Sequence, residues 1–168
     1  MKRQIRQCVF ETNSSSTHSI CISKKPVTEK DIPSFVAFNH GEFGWEIEKY
    51  DGISDRASYL YQAICELCCY DNWAKSRYVN SLHSTLSKYG VECEFDFNDK
   101  DEDGWAIGYI DHGDATRDFV ASVMRDEDKL IRYLFGDSVV ITGNDNAYDE
   151  ECISIPDSKD YEIFYKGN

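Results

Sequence analysis

The chain has 168 residues, of which 41% are hydrophobic and 14% aromatic. This composition provides enough apolar sequence for one core, and the length is too short to expect two, so we predict one domain over residues 1–168. The formal net charge is −13, from 31 acidic and 18 basic residues. That balance argues against a general nucleic-acid binder, because Lys and Arg hold phosphate backbones, and it favours a basic protein partner.

Charge and cysteines bound the remaining possibilities. Most charged residues from Glu92 to Asp103 are acidic. Residues 1–25, by contrast, contain only one acidic residue, Glu11, and their basic residues are Lys2, Arg3, Arg6, Lys24 and Lys25. This asymmetry suits an anion near the start of the chain and a basic partner elsewhere. The seven cysteines lack framework spacing and no apolar run resembles a signal peptide or a membrane span. We therefore expect reduced thiols, no membrane association and a cytoplasmic location.

The first predicted elements are two strands and a helical hairpin. Alternating apolar and polar residues predict a strand over 19–23 that follows a polar loop, and a short strand covers 35–38. Helical spacing of apolar residues begins near Ser54, a plausible N-cap. A second helix is expected over 72–89, burying Tyr89 and ending at Gly90. The two helices together predict a helical hairpin.

The second half predicts further strands and two short helices. Alternation over 91–97 indicates a strand with one acidic face, and 105–110 is the expected return strand of an antiparallel pair. The remaining expected elements are helices over 116–124 and 126–135, a strand over 139–141, and a terminal hairpin from 152–155 and 161–165. We predict a single α+β domain with a mainly antiparallel sheet, a helical hairpin and two further short helices.

A polar cluster precedes the first strand and is the first candidate site. It consists of Asn13, Ser14, Ser15, Ser16, Thr17 and His18. Short hydroxyl and amide side chains can hold a phosphate, and a histidine can move a proton near neutral pH. The same residues also populate ordinary turns, because they compete with the backbone for hydrogen bonds.

Three other polar turns stand at predicted strand ends. They span 41–46, 108–114 and 142–146. If they converge with the first cluster at one edge of the sheet, their acids and bases share a cleft. The supporting candidates in these turns are Glu42, Trp45, Glu46, Asp111, His112, Asn144, Asp145 and Asn146.

Two chemistries fit such a cleft. In metal-free RNA cleavage, His18 and His112 exchange protons with the substrate, and Ser15 and Asp111 complete the catalytic set. The alternative places carboxylates of these turns on Mg²⁺, although their spacing matches no defined metal loop. No zinc site is expected, since Cys65, Cys68 and Cys69 fall within a predicted helix. Each histidine can equally be a hydrogen-bonded structural residue.

Three phrases carry a resemblance to a known family: residues 9–19, 41–46 and 108–112. Together they resemble small proteins carried by phages and other mobile elements of Gram-positive bacteria, and 142–146 is similar to the family's late motif. Gly113 and Asp114 depart from the pattern. Some small proteins with this opening resemble anti-CRISPR inhibitors of Cas9, including ones associated with damage to guide RNA.

The resemblance implies a counter-defence protein of a bacterial host cell. Its partner would be Cas9 or the Cas9–guide RNA complex, whose positively charged channel suits an acidic surface. The N-terminal cluster would then act on RNA, as a ribonuclease without a cofactor or with Mg²⁺. The alternatives are a non-enzymatic acidic inhibitor that mimics nucleic acid, and a phage protein with an unrelated housekeeping role.

Overall fold

The computed structural model describes residues 16–44, 47–68, 71–98, 100, 102–104, 106–111, 116–144 and 156–166. These residues form an α+β fold, as predicted. The strands are β1 (Ser16–Ser23), β2 (Phe35–Phe38), β3 (Glu42–Phe43), β4 (Glu48–Tyr50), β5 (Glu92–Phe95), β6 (Tyr109–Ile110), β7 (Val139–Asn144) and β8 (Tyr161–Lys166). The helices are α1 (Ile53–Leu67), α2 (Asn72–Ser87), α3 (Thr116–Arg125) and α4 (Glu127–Phe135).

The main sheet is antiparallel, with the strand order β4-β7-β1-β8. β1 is interior, and it pairs with β7 through Ile20 opposite Val140 and with β8 through Ile20 opposite Phe164. Ile20 and Ile22 face the main core, whereas Cys21 packs with Val139 and Ile141 on the other face. The predicted strand is therefore confirmed, but it is covered on both faces and begins at Ser16.

The helical hairpin and the two shorter helices are also confirmed. Asp71 caps α2 by accepting a hydrogen bond from the Ala74 N–H (2.9 Å), and Asp126 caps α4 in the same way. Two details of the prediction are wrong. Gly52, not Ser54, is the N-cap of α1, because the first helical bond joins the Arg56 N–H to the Gly52 carbonyl. Tyr89 lies beyond the end of α2 and is exposed.

Two small parallel ladders flank the main sheet, and they correct the predicted antiparallel pair of 91–97 with 105–110. β5 pairs with β2, where Val36 lies opposite Cys93, and β6 pairs with β3, where Phe43 lies opposite Ile110. Parallel strands need a long crossover, and α1 and α2 supply it in both ladders. Stacking of Phe38 on Phe95 (centroids 4.7 Å apart) also joins β5 to β2.

The main core lies between the inner face of the sheet and the helices. Tyr59, Phe119 and Tyr133 form a chain of ring contacts through it. Arg56 is 3% exposed and donates hydrogen bonds to the carbonyls of Leu134 and Ser138. Arg56 thereby ties α1 to the end of α4 and to the start of β7, which holds the sheet and the helices in register.

Two further observations bear on the composition-based expectations. None of the described helices combines the length and the apolar character that crossing a membrane requires. The described cysteines are free thiols, and Cys21 and Cys68 are buried. Burial raises the pKa of the Cys21 thiol to about 11. A buried thiol that stays protonated acts as a small apolar side chain.

Candidate functional site

His18 lies inside the fold and not in a polar loop. It is 0% exposed and sits in β1, where its Cα pairs with Thr142 of β7 and Lys166 of β8. Two-residue alternation places His18 on the same face as Ile20 and Ile22, so that it points at α1. The expectation that His18 belongs to a polar loop ahead of the strand is wrong, because β1 begins three residues before the predicted strand.

Two hydrogen bonds hold the His18 ring in place. Nε2 lies 2.6 Å from the Asp111 carbonyl oxygen, and Nδ1 lies 3.2 Å from the Tyr59 hydroxyl. A carbonyl only accepts, so Nε2 carries the proton and donates it to Asp111. Nδ1 has the Tyr59 hydroxyl as its partner. Burial, followed by the charge of Glu66, raises the pKa of Tyr59. Both ring nitrogens of His18 are therefore occupied by hydrogen bonds inside the fold.

The ring also packs closely against the turn that follows β3. Gly44 has a φ of +106°, and a Cβ there would lie 3.0 Å from the His18 ring and 3.1 Å from Cβ of Asp111. Only glycine combines that conformation with that approach. The Asp111 N–H donates to the Phe43 carbonyl (2.8 Å), so β3, β6 and β1 meet at this point.

The described parts of all four polar segments lie together around His18. The start of β1 is paired with the end of β7, with Ser16 opposite Asn144 and Thr17 opposite Gly143. Asp111 and Gly44 contact the His18 ring from the other two segments. The condition that the sequence left open, convergence of the turns, is therefore met by these described parts.

The remaining candidates are placed as follows. Glu42 is exposed on β3 opposite Tyr109, and the pKa of Tyr109 is raised by partial burial and by the charges of Glu42 and Asp111. Thr17 is half-buried beside Gly143. The candidates outside the described residues are Asn13, Ser14, Ser15, Trp45, Glu46, His112, Asp145 and Asn146.

We call the point where β1, β3 and β6 meet the His18 junction. A cleft of about 310 Å³ lies beside it. Its wall is built by the second half of α1, the first turn of α2, His40 and the 106–109 segment. His40 Nδ1 donates to the Gln62 side-chain oxygen (2.9 Å), and Gln62 in turn hydrogen bonds to Glu66. Lys75 is 8% exposed, with its ammonium 5.5 Å above the Tyr61 ring.

Glu66 links the cleft to the His18 junction. Its Oε1 accepts a hydrogen bond from the Ile110 N–H, one residue before the carbonyl that His18 contacts. Burial raises the pKa of Glu66, and the hydrogen bonds from Ile110 and Gln62 oppose that rise. A carboxyl group with a raised pKa in a cleft that His40 also lines can serve acid–base chemistry, and it also serves as a fixed structural acceptor.

The described residues offer no ready metal centre. Among them, no three His, Cys, Asp or Glu side chains are grouped so that they could hold an ion. Of the residues considered for Mg²⁺, only Glu42 and Asp111 are described, and no described third ligand completes a site with them. Cys65 and Cys68 line the cleft, and Cys68 is 5% exposed, in keeping with the prediction of a small core residue.

Sequence reasoning missed four residues of this region: His40, Tyr59, Gln62 and Glu66. The last three follow at steps of three and four along α1 and thus share one face. Gln62 and Glu66 interrupt an otherwise apolar stripe that includes Ala63 and Leu67. Polar residues at core positions of a helix were the available signal, because burial of such groups requires fixed partners.

Comparison of the chain with protein-family models, with curated proteins and with solved structures found no match.

Proposed function

We propose that this protein is a counter-defence protein of a phage or mobile element that inhibits a Cas9-type effector in the host cytoplasm by binding it. The carrying observation is the outward face of the β2–β5 ladder. Phe35 lies opposite Glu92 and Ala37 opposite Glu94, and Phe35, Glu92 and Glu94 are exposed. We call Phe35, Glu92 and Glu94 the acidic face.

The acidic face combines charge with an exposed aromatic ring. Phe35 is 49% exposed. Within the described ranges neither Glu92 nor Glu94 forms an ion pair, so both carboxylates face solvent uncompensated. An aromatic anchor beside charge of one sign is suited to a partner surface of opposite charge. A basic channel that holds nucleic acid is such a surface.

The geometry around His18 favours binding over catalysis. A ring that is 0% exposed, with one nitrogen against Asp111 and the other against Tyr59, is occupied in holding β1 to its neighbours. A general base must come within hydrogen-bond reach of its substrate. Inhibition through the acidic face needs no such access.

The test is binding to a Cas9 effector with and without guide RNA, measured over a range of salt concentrations. Affinity should fall steeply as salt rises, because exposed charges lead the association. The double variant Glu92→Gln, Glu94→Gln should bind at least several-fold more weakly than the unaltered protein. The control, Glu29→Gln with Asp118→Asn, removes the same charge from exposed positions off the acidic face.

Absence of binding to any such effector would reject this function. The proposed surface fails separately if the control double variant weakens binding as much as the acidic-face variant. Affinity that does not change with salt would also contradict an association led by charge.

Guide-RNA cleavage is the second candidate, favoured by the meeting of four polar segments at one edge of the sheet. Incubation of the protein with guide RNA, alone and in the effector complex, tests it. Cleavage that survives EDTA and leaves cyclic-phosphate ends supports a histidine mechanism, and loss in EDTA that Mg²⁺ restores supports the carboxylates. Inhibition without any cut in the RNA removes this candidate.

A further inference from the structure

Helix α2 differs in charge from the rest of the molecule. The chain carries 31 acidic residues among 168, yet none falls within Asn72–Ser87. At that frequency a helix of 16 residues would carry about three. An acid-free helix in such a chain presents a surface that a polyanion can approach without direct repulsion from the residues of that helix.

Five of the exposed residues of α2 form a continuous stripe. It consists of Trp73, Arg77, Asn80, Ser81 and Ser84, all exposed and spaced at helical steps of three, four and one. With a rise of about 1.5 Å per residue the stripe is about 16 Å long. We call it the α2 stripe, and its side chains are an indole, a guanidinium, an amide and two hydroxyls.

A groove of about 320 Å³ runs beside the α2 stripe, where α2 meets α3. Arg77 and Ser81 line one side of the groove, and Met124 and Arg125 line the other. Across the described part of the chain neither Arg77 nor Arg125 forms an ion pair. Two exposed guanidinium groups without a carboxylate partner at one groove are complementary to phosphate.

The exposure of Trp73 favours a single-stranded nucleic acid over an acidic peptide as the ligand. It is 69% exposed, more than any other large apolar side chain among the described residues. The Arg77 guanidinium lies 4.8 Å from the centroid of its ring, which orders both groups and leaves indole surface open to solvent. An acidic peptide would use the arginines but not this surface, whereas an unpaired base stacks on it.

We propose that the α2 stripe and the α2–α3 groove bind single-stranded RNA. A base stacks on Trp73, Arg77 and Arg125 contact consecutive phosphates, and the hydroxyl and amide groups of Ser81, Ser84 and Asn80 are available to the ribose 2′-hydroxyl. The binding surface is local, since the rest of the chain is acidic. The inference goes beyond the proposed function, because it requires no effector.

The experiment is a titration of the full chain with fluorescently labelled oligouridylate, followed by anisotropy at several salt concentrations. Trp73→Ala should weaken binding at least about fivefold. Arg77→Gln and Arg125→Gln should each weaken it and lower the slope of log affinity against log salt by about 0.7. The controls are Phe97→Ala, which removes an exposed ring elsewhere, and Lys30→Gln, which removes an exposed charge elsewhere.

Three results would overturn this assignment. The first is an absence of RNA binding at low salt, and the second is an effect of the control variants equal to that of the groove variants. The third is equal binding of oligothymidylate or of a polyglutamate peptide, since the first lacks the 2′-hydroxyl and the second lacks bases. Because no effector is present, none of these results bears on the acidic face.

Discussion

At the scale of single residues, His18 is the centre of the described site. Its two ring nitrogens join α1, through Tyr59, to the backbone of Asp111 after β6. Complete burial of this imidazole is tolerated because both of its nitrogens have hydrogen-bond partners. His18 therefore contributes to stability through contacts that an exposed catalytic histidine would not make.

We expect His18→Ala to lower the free energy of unfolding by about 3 kcal/mol. The substitution leaves a cavity, and it removes the hydrogen bonds that His18 forms with the Tyr59 hydroxyl and the Asp111 carbonyl. Urea denaturation measures the change. His83→Ala is the matched control, because His83 is exposed on α2 and its loss should stay within about 0.5 kcal/mol. A His18→Ala protein as stable as the control would contradict the structural role.

Glu66 makes a prediction about pH. Burial raises its pKa above the ordinary 4.5, so the folded protein binds this proton more tightly than the unfolded chain does. Its contribution to stability is thus complete below pH 4.5 and is lost as pH rises through the raised pKa of the folded state. The glutamine of Glu66→Gln does not titrate. The stability of this variant relative to the unaltered protein should therefore increase as the pH rises from 4.5 to neutrality.

Urea denaturation across that pH range is the measurement for Glu66. Glu92→Gln serves as the control, because Glu92 is exposed and its stability profile should run parallel to that of the unaltered protein. If the Glu66→Gln profile also runs parallel, the carboxyl of Glu66 is not perturbed by the fold.

At the scale of elements, the β3–β6 ladder depends on the close approach of two backbone segments. Gly108 has a φ of +74°, and a Cβ there would lie 2.6 Å from Gln62 Oε1 and 2.7 Å from the Gly41 carbonyl oxygen. Gly90 has the same φ, but a Cβ there would meet nothing within 4 Å. A comparison of alanine substitutions at Gly108 and Gly90 therefore distinguishes the cost of steric collision from the cost of backbone strain.

Gly108→Ala should cost at least about 3 kcal/mol of unfolding free energy, because it adds a collision to the strain. Gly90→Ala should cost about 1–2 kcal/mol, from strain alone. Thermal or urea denaturation of both variants makes the comparison. Equal losses in the two proteins would mean that the approach of Gly108 to Gly41 and Gln62 does not hold the cleft wall together.

Element positions and element pairings differ in how far the sequence predicts them. The helix 126–135 and the strand 35–38 were predicted almost to the residue, because apolar periodicity and an Asp cap are local signals. The partner of β5 was predicted wrongly. The acidic 91–97 segment is followed by turn residues, which favoured a hairpin, yet packing of Phe95 on Phe38 and Tyr61 joins it to β2.

At the scale of the whole molecule, charge is segregated onto different surfaces. The acidic face on β2–β5 exposes Glu92 and Glu94, whereas the α2 stripe exposes Arg77 without any acidic residue on its helix. Together, the two proposals have the protein engage a basic protein and the RNA bound to it. The net charge of −13 describes the average and conceals this division.

The helical hairpin, the positions of most strands and the candidate segment that leads to His18 can be predicted from the amino-acid sequence. These features depend on composition and on periodicity over a few residues. The folded structure was needed to show that His18 is buried against Tyr59 and Asp111, and that His40, Gln62 and Glu66 share a cleft. Such placements depend on contacts between residues far apart in the chain, and the spacing of neighbouring residues does not predict those contacts.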